Sequence, residues 1–262
     1  MNKLLFVICI AFCLSSCELD QQLDAQDMGD SPGYFIECYC VPGEMFNLTA
    51  TRIAPINQDQ YLDYSIEFDI HITTTERFKL YHSLFHEPGT KFIYNYASNQ
   101  RLDRSNADSI QLEVTAPDGS RILASTTIPD PIKIDTTLFS GNTFKISFTT
   151  SPDPLQNFYI LRAGFMKNGE LKYQNISYHD NISGQETLTH SFSLKDVLPA
   201  DSVLIDLKRM TQAGYRYQLS LREASDANTD NITSPTPLTG NISGALGIFT
   251  CYSTDRRTVI CP

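Results

Sequence analysis

The residues with chemical potential form a few short constellations. "GNISGALGIF", residues 240–249, carries Gly240, Gly244 and Gly247, as a phosphate-cradling loop would. Such a loop needs a closing Gly-Lys-Ser/Thr and a helix behind it, so that backbone amides and the helix dipole meet the phosphates. No lysine follows here, and "IFTCYSTD" behind Gly247 is aromatic and β-prone. A dinucleotide fingerprint fails on the same ground. The glycines are therefore expected to supply positive φ or to let another chain segment come close. His82 and His86, four apart in "YHSLFHE", would share a helix face, but a third ligand and the glutamate of a His-Glu-x-x-His motif are missing. Asp226, Asn228 and Asp230 have the spacing of the first three ligands of a calcium loop. The loop glycine is replaced by Asn231 and the twelfth position is Pro237, so the segment reads as an Asx-rich turn before a strand. No Gly-x-Ser-x-Gly elbow occurs. The expectation is a non-enzymatic protein with no cofactor and no metal site.

The N-terminus has a different chemistry. Lys3 precedes an apolar run from Leu4 to Leu14, too short to span a bilayer, followed by Ser15, Ser16 and Cys17. A cation, a short apolar core and small residues make an export signal. Leu14-Ser15-Ser16-Cys17 resembles the bacterial lipobox, in which Cys17 is acylated and becomes the first mature residue. Residues 1–16 are then the lipoprotein signal peptide. Residues 17–32, acidic and poor in large apolar groups, are a flexible tether. Acyl chains on one residue anchor stably, since each buried methylene adds about 0.8 kcal/mol.

The formal charge is −10, and one unit more negative once Lys3 is removed. That balance argues against nucleic acid, which requires a basic footprint. Cys38, Cys40, Cys251 and Cys261 remain beyond the leader, and an even number in an exported chain suggests disulfides. On a strand, Cys38 and Cys40 point the same way and do not bond each other. The C-terminal pair would be their partners, stapling the first strand to the last. Reduced, buried thiols are the alternative, and Cys-x-Cys is poor spacing for zinc.

The elements that must position these residues are strands. "YSIEFDIHIT" alternates Tyr64, Ile66, Phe68, Ile70 and Ile72 with polar residues, the mark of a half-buried antiparallel strand. "SIQLEVTAPDGSRILA" reads as a hairpin turning at Pro117-Asp118-Gly119. "TFKISFTT", "NFYILRAGF", "LTHSFSL", "VLIDLKRM" and "YRYQLSL" continue the pattern. Strands every 10–15 residues predict β-sandwiches. Only 75–87 and 193–199 read as helical turns. The prolines of "TTIPDPIKID" (126–135) interrupt pairing and divide a first sandwich, 33–128, from a second, 129–262, whose last strand returns to the first.

The tail "TDNITSPTPLTGNISGALGIF" resembles the closing signature of the domain-of-unknown-function 4249 family of Bacteroidetes lipoproteins. Asn241, Ile242, Gly244, Leu246, Gly247, Ile248 and Phe249 match it, and Ala245 replaces a glycine. "FIECYCVPGEMFNLTATRIAPI", "APDGSRILASTTIPDPIKID" and "SPDPLQNFYIL" match in order, whereas residues 74–108 depart from the family pattern. The resemblance implies two consecutive immunoglobulin-like or transthyretin-like sandwiches. It implies an outer-membrane, cell-surface lipoprotein beside a TonB-dependent, SusC-like transporter, binding an unidentified nutrient. It attaches no catalytic residue. A fimbrial subunit that polymerises by strand donation and a surface glycan or peptide hydrolase are the competing classes.

Overall fold

Period-two alternation builds almost every element. In β1 (Tyr34–Cys40), Tyr34, Ile36, Cys38 and Cys40 are buried, while Phe35, Glu37 and Tyr39 face the other side. A turn at Gly43 (φ +86°) leads into β2 (Met45–Arg52), which buries Phe46, Leu48 and Ala50. The computed structural model describes residues 33–53, 64, 66–86, 92–180, 186–194, 200–229 and 237–262. The expected signal peptide, Cys17 and the expected tether, residues 1–32, lie outside them.

β3 (Asp69–Thr73), β4 (Arg77–His86), β5 (Ile93–Arg101), β6 (Ser109–Thr115) and β7 (Arg121–Thr127) complete the first half. The β6–β7 hairpin turns at Gly119, whose amide donates to Ala116 O at 2.9 Å. β8 (Ile134–Ser140), β9 (Thr143–Thr149), β10 (Phe158–Lys167), β11 (Glu170–Asp180), β12 (Thr187–Ser193) and β13 (Ser202–Met210) follow. After helix α1 (Gln212–Thr229), the long β14 (Leu246–Ile260) ends the chain. The fold is all-β and sandwich-like. One sheet has eleven strands in the order β11-β10-β13-β14-β1-β2-β5-β4-β3-β6-β7, and a second has three, β12-β9-β8.

Among the described residues, two main hydrophobic cores share the large sheet, and a smaller cluster of Phe158, Ile160, Met210 and Tyr215 packs the helix onto it. The first is filled by Ile36, Leu48, Ile70, Leu80, Val114 and Phe249, among others. Around it the sheet bends at β4, whose first residues pair with β3 and whose last pair with β5. Leu123 of β7 and Ser243, just before β14, exchange two backbone hydrogen bonds (3.1 and 2.9 Å), so the sheet closes on itself there. The second core lies between β10, β13 and the end of β14 on one side and the three-stranded sheet on the other. Phe148, Tyr159, Phe165 and Ile205 fill it. β14 joins the two. Residues 246–251 run parallel to β1, and residues 252–260 run antiparallel to β13.

The proline-rich connection between the cores lacks ladder partners, so side chains satisfy it. Arg209 Nη1 donates to Asp130 O (3.2 Å) and Pro131 O (2.9 Å), Gln156 Oε1 accepts from Asp130 N (2.7 Å), and Asp255 accepts from Ile134 N (2.7 Å).

Local reading erred in two described places. Residues 77–86 are strand β4, not a helical turn, because β3 pairs with its first half and β5 with its second, and pairing outweighs local spacing. "YRYQLSL" is the opposite case. It lies in α1, so the Asp226–Asn228 turn is also helical. Thr211 caps α1, its Oγ1 accepting from Gly214 N at 3.1 Å, and Gly214 lets the helix lie against β14, where an added Cβ would be 2.4 Å from Thr250 Oγ1. Residues 195–199 and 230–236 lie outside the described residues.

Candidate functional site

The glycines of the opening motif are structural. Gly247 has φ +114°, and a Cβ there would sit 1.9 Å from Ile36 O. A Cβ on Gly240 would sit 2.1 Å from Gly247 O. Asn241 accepts from Phe249 N (3.0 Å) and donates to Phe249 O (2.8 Å), as a neighbouring strand would. Gly244 takes φ +88°, Leu246 stays partly exposed, and Ile248 and Phe249 are fully buried. The signature seats β14 between β1 and the closing end of β7.

The cysteines divide differently from expectation. All four are free thiols. Cys40 and Cys251 are partners in the parallel register of β1 and β14, and Cys38 Sγ lies 3.6 Å from Cys40 Sγ, well beyond a disulfide bond. Cys261 cannot complete a second staple, because β14 carries it ten residues onward to the other core. Hydrogen bonding to Cys40, then burial, pushes the Cys38 thiol up. Burial, then Cys251, does the same for Cys40.

The histidines scatter. His82 Nε2 lies 2.9 Å from Tyr64 O with its ring edge-on to Tyr96, and His86 is exposed at the end of β4. His190 on β12 faces β11, with Nε2 3.0 Å from Ser177 Oγ and its ring 4.9 Å from that of His179. A serine–imidazole pair at that distance has nucleophile–base geometry, but catalysis of that type also needs a group orienting the base. The neighbours found here are His179 and Phe192, and among the described residues no carboxylate is paired with His190. Burial lowers the His190 pKa. Burial, with the nearby His190, takes His179 down to about 4.

A concavity of about 180 Å³ forms where the large sheet passes from one core to the other. Its floor is a row of cross-strand neighbours on one sheet face: Ile176, Arg162, Asp206 and Arg256. One wall is aromatic. Tyr39 meets Phe92 edge-on at 6.0 Å, and Phe92 stacks with Tyr94 at 6.3 Å and 17°. Tyr178 and Tyr252 stand on the floor side, with Lys208 Nζ 4.3 Å from the Tyr252 ring centroid. Gln218 of α1 closes one end, donating to the Tyr39 hydroxyl (2.7 Å), which in turn donates to Glu37 (2.8 Å). Burial raises the Glu37 pKa against the lowering effect of that bond, and burial with the Glu37 charge raises Tyr39. α1 also packs Tyr215 against Phe158 (rings tilted at 49°) and edge-on to Tyr178, and burial pushes Tyr215 up to about 12.

Asp206 is the groove's electrostatic hinge. It accepts from Thr254 Oγ1 at 2.7 Å and stands 3.4 Å from Arg256 Nε and 3.8 Å from Lys208 Nζ. Sequence reading did not single out these residues. Each is a polar position of an alternating strand, in "LIDLKRM" and "YSTDRR", and only strand pairing sets them side by side.

Fold and site together define an all-β protein with two cores on one sheet and an aromatic, charged groove at the junction. The family model described as a domain of unknown function, DUF4249, matches residues 27–258, and the chain belongs to that family. No curated protein matches it.

Proposed function

We propose that this protein is a lipid-anchored binding subunit that works, without catalysis, beside a TonB-dependent, SusC-like outer-membrane transporter of a Bacteroidetes cell surface, and holds a nutrient in the junction groove. The groove carries the reading: aromatic walls with a few fixed polar groups are the make-up of small-molecule sites. Anchoring is supported by Leu14-Ser15-Ser16-Cys17 behind a short apolar run. The transporter is supported by the resemblance to lipoproteins encoded beside such barrels. Cys17→Ala is expected to move the protein from the outer-membrane fraction to the soluble one, and unchanged fractionation would refute anchoring. Mild extraction of the native protein should bring down a β-barrel partner. Recovery of the protein alone, in detergent that preserves such complexes, would refute the transporter role.

A further inference from the structure

We infer that the groove selects a small carboxylate with an apolar, ring-sized body, and that Arg162 is the residue that takes the carboxylate. This deepens the binding role proposed above. The charged residues lining the groove are Arg162, Lys208 and Arg256 against Asp206 and Glu44, a formal +1 in a chain of −10. An excess of cations confined to a concavity on an acidic protein selects anions through focusing of the field.

The cations are not equivalent. Arg256 and Lys208 converge on Asp206, which fixes them. Arg162 is the register partner of Asp206 across β10 and β13, and so shares its face. It nevertheless makes no ion pair with that carboxylate, and it makes no hydrogen bond or ion pair among the described residues. Its planar fork of donors is thus unspent, and it suits bidentate capture of a carboxylate. Asp206, already satisfied by Thr254 and Arg256, keeps the neighbouring charges in place.

The rest of the lining gives the body of the ligand. Met45, Phe92 and Ile176 are apolar groove residues that remain substantially exposed, at 45, 39 and 40%. Covering them favours an aromatic or branched aliphatic group. A space of about 180 Å³ is smaller than sites for drug-sized ligands, so one ring and its acid group fill it.

The test is calorimetric titration of the purified protein with phenylacetate and N-acetyl-L-phenylalanine, against N-acetyl-L-phenylalanine amide and glucuronate. Both apolar acids should bind, at least tenfold more tightly than the amide or glucuronate, and added salt should weaken them. Arg162→Gln should lose at least tenfold for the acids and leave the amide unchanged. Arg162 is exposed, so the variant is expected to fold, and Arg162→Lys should recover part of the loss. Equal binding of acid and amide, preference for glucuronate, or an Arg162→Gln variant with unaltered affinity would overturn the inference. So would no binding of any acid at millimolar concentration. The titration does not involve the membrane, so its failure is separable from failure of anchoring or of transporter association.

Discussion

Substituting Gly247 by alanine tests how the last strand is held. Two penalties act there. The φ of +114° lies in a region that L-residues adopt at a cost of about 1–3 kcal/mol. The new Cβ would also lie 1.9 Å from Ile36 O, where about 3 Å is the practical limit. Both sides of that contact are backbone, so no rotamer relieves it. β1 and β14 must part by about an ångström, which weakens the ladder beside Ile36, each net hydrogen bond contributing about 1 kcal/mol. The expected loss is about 3–5 kcal/mol, at the top of the range for single substitutions. Gly169 is the control. It has φ +77° in the β10–β11 turn with nothing within 4 Å of an added Cβ, so Gly169→Ala should cost only about 1 kcal/mol. Urea unfolding of the two variants beside the parent protein, followed by circular dichroism, compares the midpoints. If Gly247→Ala shifts the midpoint no further than Gly169→Ala, the close approach of β1 and β14 is not what the glycine serves.

Other outcomes follow from buried titratable groups. His179 is depressed from an ordinary value near 6.5 to about 4, so between those values the unfolded chain binds the proton more tightly and stability falls as pH falls. At about 1.36 kcal/mol per pH unit the full gap would be about 3.4 kcal/mol, which its partial exposure reduces to about 1–2 kcal/mol. His179→Gln should flatten the stability profile between pH 6.5 and 4.5, and an unchanged slope in thermal melts would refute the assignment. Iodoacetamide at pH 8 should modify Cys261 first and leave Cys38, Cys40 and Cys251 unmodified until denaturant is added, because all three are buried and the Cys38 and Cys40 thiols are also pushed up. A Cys40–Cys251 disulfide peptide in a digest of cell-derived protein would contradict this.

Much of the fold was legible. The alternation of "YSIEFDIHIT" fixed which side chains of β3 are buried, and Pro117-Asp118-Gly119 placed a hairpin turn. The β-prone run after Gly247 gave β14, and its return to β1 brought Cys251 beside Cys40. α1 was missed because "YRYQLSL" alternates as a strand does. Its helical character rests on Thr211 as a cap and on the sheet surface that buries Tyr215 and Tyr217.

By itself, the sequence determined the all-β class and the family signature, since each depends on neighbours within a few residues along the chain. Tertiary structure alone decided the groove. Arg162, Asp206 and Arg256 are separated by 44 and 50 positions, and they form one row only because β10, β13 and β14 pair in one register. A shift of one residue in either pairing would turn those side chains to the core. The split of the cysteines has the same origin: one continuous strand carries Cys251 into the first core and Cys261 to the second.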